Sequence, residues 1–340
     1  MFNNALYNTK YHSCNIADYR FLITGGAGFI GSNLVEYLLK YGAGHVRVLD
    51  NLSNGYFENI KDFLELPNFE FIEGDITDFD TCVRALEDVD FVSHQAALGS
   101  VPRSIADPVK TNEVNISGFL NMLVAAKSSP TLKGFVYAAS SSTYGDSPKL
   151  PKVEGNEGNP LSPYAVTKLV NELYADVFSR VYSFHTIGLR YFNIFGPKQN
   201  PNNPYAAVIP IFCKHFLEGT QPTIFGDGIT SRDFTFVENA VQANVLAMLY
   251  GHDGVHQIQK HEVFNVACGD QISLNEMVEI LKDLTQKEIQ AIYGDERRGD
   301  VKHSKASIEK IKSALGYHPK FRFNQGLGIV YDWYKTNLIE

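Results

Sequence analysis

The chain predicts an α/β protein: a doubly wound parallel sheet with helices on both faces, followed by a smaller, loop-rich α/β part. Three observations carry this. Short apolar, β-prone runs alternate with helical stretches through the first half, which implies βαβ units. From about Asn193 the alternation loosens into Pro- and Gly-rich loops, FGPKQNPNNP and FGDGITSRD. The 340 residues are 44% hydrophobic, enough to bury a large core in one large domain or two.

In chain order, 1–19 is a polar N-terminal arm without the apolar stretch of a secretory signal. RFLIT (20–24), HVRVLD (45–50), FEFIEG (69–74), DFVSHQ (90–95) and FVYAAS (135–140) read as strands. FIGSNLVEYLLKY (29–41), 109–127 and 162–182 read as helices. The boundaries expected are a nucleotide-binding domain over 20–192 and a second domain over 193–340, with segments near 234–262 returning to the sheet.

A formal charge of −8 argues against nucleic acid or an anionic membrane as the main partner. Cys14, Cys82, Cys213 and Cys268 form no metal-spaced or disulfide-like cluster, and the ten histidines none either, so no metal is expected. A reducing, cytoplasmic setting is the expectation. No segment approaches the roughly 18 apolar residues of a membrane span. Two Asn-x-Ser patterns, at Asn51 and Asn115, are read as coincidental.

TGGAGFIG (24–31) follows the first strand and opens the first helix. Gly25, Gly28 and Gly31 permit a tight turn, close approach to a pyrophosphate and helix-on-strand packing, with the helix N-terminus aimed at negative charge. Asp50 ends the next strand, 19 residues past Gly31, where a carboxylate accepts both ribose hydroxyls and repels a 2′-phosphate. The sheet is therefore of the Rossmann type, and the cofactor expected is NAD rather than NADP.

SPYAVTK (162–168) opens a long helix on which Tyr164 and Lys168, four apart, share one face. A tyrosine of pKa about 10 acting as a base near neutrality needs about 4 kcal/mol of phenolate stabilisation. A lysine ammonium one turn away and a positive nicotinamide ring supply it. AASSSTYGD (138–146) places Ser140, Ser141 and Ser142 at a strand end, with no carboxylate before Asp146.

TGGAGFIG, SSSTYG, SPYAVTK and RYFNIFG together resemble the extended short-chain dehydrogenase/reductase family, which works on nucleotide sugars. HQAALGSVPRS, AASSSTYGD, LSPYAVTK and GDGITSRDF are similar to its bacterial UDP-N-acetylglucosamine 4-epimerases, which make precursors of surface polysaccharides. The resemblance runs from about residue 20 to 335. It implies that a hydride leaves sugar C4 for NAD while Tyr164 takes the O4 proton, with Ser140 bridging and Lys168 on the nicotinamide ribose. Related dehydratases carry an Asp-Glu pair at the strand end; Ser140 to Thr143 offers no such acid, so the ketone is turned over and reduced again.

The resemblance also assigns Phe29, Ile30, Asn51, Asp75, Ile76, Gln95, Ala96, Ala97 and Asn115 to the cofactor. It assigns Gly99, Ser100, Arg103, Ser141, Ser142, Asn193, Ala207, Val208 and Ser304 to the sugar side, and Arg232, Arg297 and Asp300 to the UDP. Arg298 competes with Arg297 for the diphosphate. A homodimer paired through 109–127 and 162–182 is implied as well. Three alternatives stay open: epimerisation of UDP-N-acetylglucosaminuronate, epimerisation of UDP-glucose/galactose, and a non-catalytic NAD-sensing protein.

Overall fold

Seven parallel strands run through the centre of the molecule, and each lies where a short apolar run ends at a polar or glycine-rich turn. The computed structural model describes residues 6–202, 207–251, 260–296 and 302–337. The chain forms β1 (Arg20–Thr24), α1 (Phe29–Lys40), β2 (His45–Asp50), β3 (Phe69–Glu73), α2 (Phe79–Ala85) and β4 (Phe91–His94). Next come α3 (Val101–Ala106), α4 (Pro108–Asn112), α5 (Phe119–Lys127), β5 (Gly134–Ser140), α6 (Pro163–Tyr182) and β6 (Ile187–Tyr191). Then follow β7 (Ile194–Phe195), α7 (Val208–Glu218), β8 (Thr223–Phe225), β9 (Ser231–Arg232), β10 (Thr235–Phe236) and α8 (Val237–Met248). The chain closes with β11 (Glu262–Val266), β12 (Ile272–Ser273), α9 (Leu274–Thr285), β13 (Ile292–Gly294), α10 (Glu309–Leu315) and α11 (Phe323–Asn337).

The main sheet has the order β11-β6-β5-β4-β1-β2-β3. Period-two alternation splits its side chains between two cores. Phe21, Ile23, Val48, Phe91 and Val136 pack with α1 and α8. Leu22, Leu49, Val92, Phe135 and Tyr137 pack with α2, α5 and α6. The strand order reverses between β1 and β4, so their carboxyl ends diverge into a crevice, the position where open α/β sheets bind ligands. Thr24 sits opposite both Leu49 and His94, which aligns the three strand ends at one level.

Two features differ from the sequence reading. The stretch 109–127 is not one helix: α4 gives way to a π-helical turn over Glu113–Gly118 before α5 begins. There Asn115 turns inward, and Gly118 lets Ile76 approach to where a Cβ would stand at 2.7 Å from its side chain. The N-terminal arm, polar in its overall composition, packs into the core. Leu6, Tyr7, Tyr11 and Ile16 are buried, mostly against α1 and α8. Tyr7 and Tyr11 both bind Glu238, through a backbone N–H at 3.0 Å and a phenol at 2.7 Å.

The later part of the chain forms three two-stranded pairs, β10-β7, β12-β9 and β13-β8, with α7, α9 and α11 packed around them. A Ser273/Glu276 capping box starts α9. Among the described residues no helix is long and apolar enough to cross a membrane.

Candidate active site

A cleft of about 610 Å³ opens along the carboxyl ends of the strands, with Gly25 and Ala207 both in its lining. Its floor begins with the glycine loop. Gly25 sits at φ +67°, and a Cβ on Gly31 would stand 2.2 Å from the Gly25 carbonyl, so no larger residue fits there. Helix α1 then starts at Phe29, after an N-cap at Gly28 that offers no side-chain hydrogen bond, leaving its first N–H groups for an anion. A Cβ on Gly99 would meet nothing within 4 Å, so the cleft has room there, whereas one on Gly28 would crowd the Gly25 carbonyl at 3.1 Å. A dinucleotide fits this cradle.

Asp50 lines the cleft at the end of β2. Its carboxylate accepts from Ala27 N at 3.0 Å and Leu52 N at 2.8 Å, which aims it across the crevice. Burial pushes its pKa up, against the pull of those N–H groups. Asn51 donates to Asp75 at 2.8 Å, and Thr77 donates to the other Asp75 oxygen. Burial opposes ionisation of Asp75, but these hydrogen bonds hold it below the usual carboxylate range. Phe29, Ile30, Ile76, Ala96 and Ala97 line the same half.

Gln95 lines the cleft too, yet its side-chain amide is committed to the wall behind. It donates to Ser93 and Asn244 and accepts from the Tyr191 hydroxyl at 3.1 Å. Asn115 lies outside the lining. Its Oδ1 accepts from Leu98 N at 2.7 Å, and its Nδ2 donates to the Leu98 carbonyl and the Thr167 hydroxyl. The π-helical turn thus makes Asn115 a brace for the loop after β4, not a contact reaching into the cleft.

The same cleft holds the expected reactive groups Ser140, Tyr164 and Lys168. Helix α6 starts at Pro163, capped by the Ser162 hydroxyl on Ala165 N, and this delivers Tyr164 and Lys168 to the cleft. Lys168 Nζ donates to the Ala138 carbonyl at 2.8 Å and stands 6.0 Å from the Tyr164 ring centre. Ser140, at the end of β5, pairs with Tyr191 in register and takes hydrogen bonds from Ser142 N and Ser142 Oγ. Ser141 lines the cleft while Ser142 stands behind Ser140.

Burial pushes the Tyr164 phenol up, and its hydrogen bond with Ser140 opposes that. Burial brings Lys168 down to about 8, with the Glu172 carboxylate resisting. Glu172 sits in a buried ion-pair group: Arg190 donates to both its oxygens, at 2.8 and 2.6 Å, and also pairs with Glu157. The Arg190 guanidinium lies 4.9 Å from the Tyr144 ring centre. His94 is held neutral by burial, with a pKa of about 3, and is no proton donor near neutrality.

Of the remaining residues expected on the sugar side, Gly99, Ser100, Arg103, Asn193 and Ala207 line the cleft, while Val208 begins α7 behind Ala207. Ser100 at φ +91° and Asn193 at φ +39° are non-glycine residues in the left-handed half of the map, a strain that accumulates at functional sites. Arg232 and Ser304 sit apart from the cleft lining. Arg232 donates to the Ser231 and Lys302 carbonyls, and Ser304 N donates to the Ser231 carbonyl. Arg297, Arg298 and Asp300 lie outside the described residues.

Sequence reasoning missed Tyr56, Tyr191, Lys198, Gln199 and Asn200, all of which line the cleft. The signal for Tyr191 was its place in RYFN, two residues before Asn193. The others stand on loops whose folding-back no local pattern encodes. Among the described residues no group of His, Cys, Asp or Glu is arranged to hold a metal.

Comparison with known proteins agrees with this geometry. The family model described as NAD dependent epimerase/dehydratase matches residues 21–267. A putative UDP-glucose 4-epimerase of Methanocaldococcus jannaschii is 35% identical over 317 residues, 93% of this chain and 98% of that protein. The structure of a UDP-N-acetylglucosamine 4-epimerase from Methanobrevibacter ruminantium, solved with UDP-N-acetylmuramic acid, superposes with a TM-score of 0.87 at 38% identity, covering 94% of this chain and 99% of that one. A UDP-glucuronic acid 4-epimerase from Bacillus cereus, solved with UDP-glucuronic acid and NAD, gives a TM-score of 0.85 at 31% identity, covering 93% and 99%. The chain belongs to the NAD dependent epimerase/dehydratase family, and NAD is its cofactor.

Proposed function

We propose that this protein interconverts UDP-N-acetylglucosamine and UDP-N-acetylgalactosamine at C4, with the NAD retained through the cycle. The observation that carries the reading is the strand end itself. Ser140, Tyr164 and Lys168 meet in one cleft, and the turn Ser141–Tyr144 beside them holds serine and threonine but no carboxylate. Elimination or decarboxylation at this place needs an acid; epimerisation needs only a base and room to turn.

Bound NAD supplies hydride acceptance and return. The chain's own groups move the proton. Tyr164 takes it from O4 as the hydride leaves and gives it back to whichever face is reduced. Ser140 bridges the phenol and the sugar oxygen. Lys168, held by Ala138, stabilises the phenolate by its charge. The proposed division of labour places the cofactor on 20–192 and the UDP-sugar half on 193–340. Asn193 and Ala207 support it, since both belong to the second part of the chain and line the same cleft.

The uronic-acid reading is favoured by one observation: Arg103 lines the cleft beside Ser100, where a cation suits a C6 carboxylate. Incubation with neutral, N-acetylated and uronic UDP-sugars, followed by chromatographic resolution of the 4-epimers, decides between them. Turnover confined to the uronic pair would sink the N-acetylhexosamine assignment.

A residue-level test uses Ser304→Tyr. The resemblance gives this small residue the space beside the C2 acetamido group; it stands outside the cleft lining, bonded to Ser231, so the variant tests whether the bound sugar reaches it. A phenol there costs about 1–3 kcal/mol of overpacking, roughly 5- to 150-fold in rate. The loss should fall on N-acetylated substrates and spare UDP-glucose and UDP-galactose. Equal losses in kcat/KM on both pairs would remove Ser304 from the C2 contact.

A further inference from the structure

We infer that the loop 197–202 is a strap that retains the coenzyme, latched across the cleft mouth by Asn200 on Tyr56 and anchored from behind through Asn33 by the N-terminal arm. The inference rests on the retained-NAD reading above and names the device responsible.

The latch joins two segments far apart in sequence. Tyr56 follows the Asp50 ribose loop, and Asn200 lies on the opposite rim; both line the cleft. Asn200 Nδ2 donates to the Tyr56 hydroxyl at 2.6 Å, across 144 residues of chain. Tyr56 is itself tied to the phosphate loop, its N–H donating to the Ala27 carbonyl at 3.0 Å. The pair therefore bridges the two banks between which a dinucleotide lies.

The strap cannot retain anything unless its own backbone is fixed, and three contacts from α1 and α11 fix it. Asn33 Nδ2 donates to the Pro197 carbonyl at 3.1 Å and to the Phe29 carbonyl at 2.8 Å. Lys198, at φ +72°, pairs with buried Glu36 of α1 at 2.8 Å. The Tyr334 hydroxyl of α11 donates to the Gln199 carbonyl at 2.5 Å.

The arm enters through Asn33. With both amide hydrogens spent on Phe29 and Pro197, its Oδ1 accepts the Tyr7 hydroxyl at 2.5 Å. That bond sets which end of the amide faces the strap. Tyr7 has no exposed surface, and its carbonyl accepts from the Tyr41 hydroxyl at 2.9 Å. Removing the Tyr7 hydroxyl leaves a buried acceptor unsatisfied and frees the Asn33 amide to turn away from Pro197. The anchors are buried and the latch is the weakly held element, so the latch is where the cleft opens.

The experiment measures NAD release from purified holoenzyme, trapped by an NAD-reducing dehydrogenase with its alcohol and read at the NADH absorbance. Asn200→Ala and Tyr56→Phe, both at the solvent edge, should each speed release about fivefold, the equivalent of one lost hydrogen bond. The double variant should release no faster than either single one, because both delete the same bond. Tyr7→Phe should also speed release while turnover at saturating added NAD stays at the wild-type value. Release at the wild-type rate in all three, or effects of Asn200→Ala and Tyr56→Phe that multiply, overturns the latch. A wild type that empties within one gel-filtration pass overturns the retained-cofactor reading instead, a result separable from the first two.

Discussion

At Tyr164 the site asks one residue to work against its own surroundings. Burial raises the phenol, and the hydrogen bond with Ser140 is what the chain sets against it, with Lys168 Nζ 6.0 Å from the ring centre. Tyr164→Phe deletes the proposed proton acceptor and little volume, so folding and NAD binding should persist while kcat falls about 100- to 10,000-fold. A variant keeping a large fraction of the wild-type rate would take Tyr164 out of the proton transfer. Lys168 makes a second residue-scale prediction. Its pKa is brought down to about 8, so its charge is present below that pH and lost above it, and with it the support that the proposed mechanism gives the phenolate. Glu172 resists that drop. Glu172→Gln should therefore move the alkaline limb of the kcat/KM profile to lower pH. The sign follows because removing a nearby negative charge disfavours the ammonium. An unmoved limb would show that Glu172 serves only Arg190. Stability should fall as well, by about 3–5 kcal/mol, since Arg190 loses a buried bidentate partner.

Two elements act as units larger than their residues. The turn between β1 and α1 tolerates no side chain at Gly31, whose Cβ would collide with backbone and not with a movable side-chain end. Gly31→Ala should displace the loop at a cost of about 1–3 kcal/mol. It should weaken NAD binding about tenfold or more in a fluorescence titration of cofactor-free protein. Undiminished affinity would mean the loop absorbs the methyl group elsewhere. The π-helical turn at Glu113–Gly118 is the second unit. It swings Asn115 beneath Leu98, and the Asn115 carbonyl in turn receives Asn171 Nδ2 from α6 at 2.7 Å. The element that carries Tyr164 and the loop that carries Gly99 are thereby held by one asparagine.

For the whole molecule, the homodimer we propose would turn on one face. Along α6, Val166, Leu173, Val177 and Val181 are exposed, and Ile105 and Val109 stand exposed on α3 and α4, which pack beside it. Helix pairs of this kind bury such residues against a second copy, which supports the homodimer we propose for this chain. Leu173→Glu puts a charge in the middle of that stripe. It should convert the protein to monomers in light scattering coupled to gel filtration, with the far-ultraviolet circular dichroism unchanged. A dimer mass in the variant would move the interface away from α6.

Much of this protein is legible in its sequence because the main signals are local. Strand runs such as 20–24 and 45–50, the glycines of 25–31 and the four-residue step from Tyr164 to Lys168 each report a backbone shape or a helical face, which neighbouring residues alone decide. By itself the sequence determined the doubly wound sheet and the dinucleotide loop. Tertiary structure decided the rest, because the groups concerned meet only through long-range closure. Tyr7 and Tyr11 read as polar-arm residues until they meet Glu238, more than two hundred positions away. The break in 109–127 follows from what Asn115 and Gly118 touch on other elements, not from their helix propensity. Asn200 and Tyr56 stand in loops that no periodicity describes, and only the folded chain brings them together across the cleft.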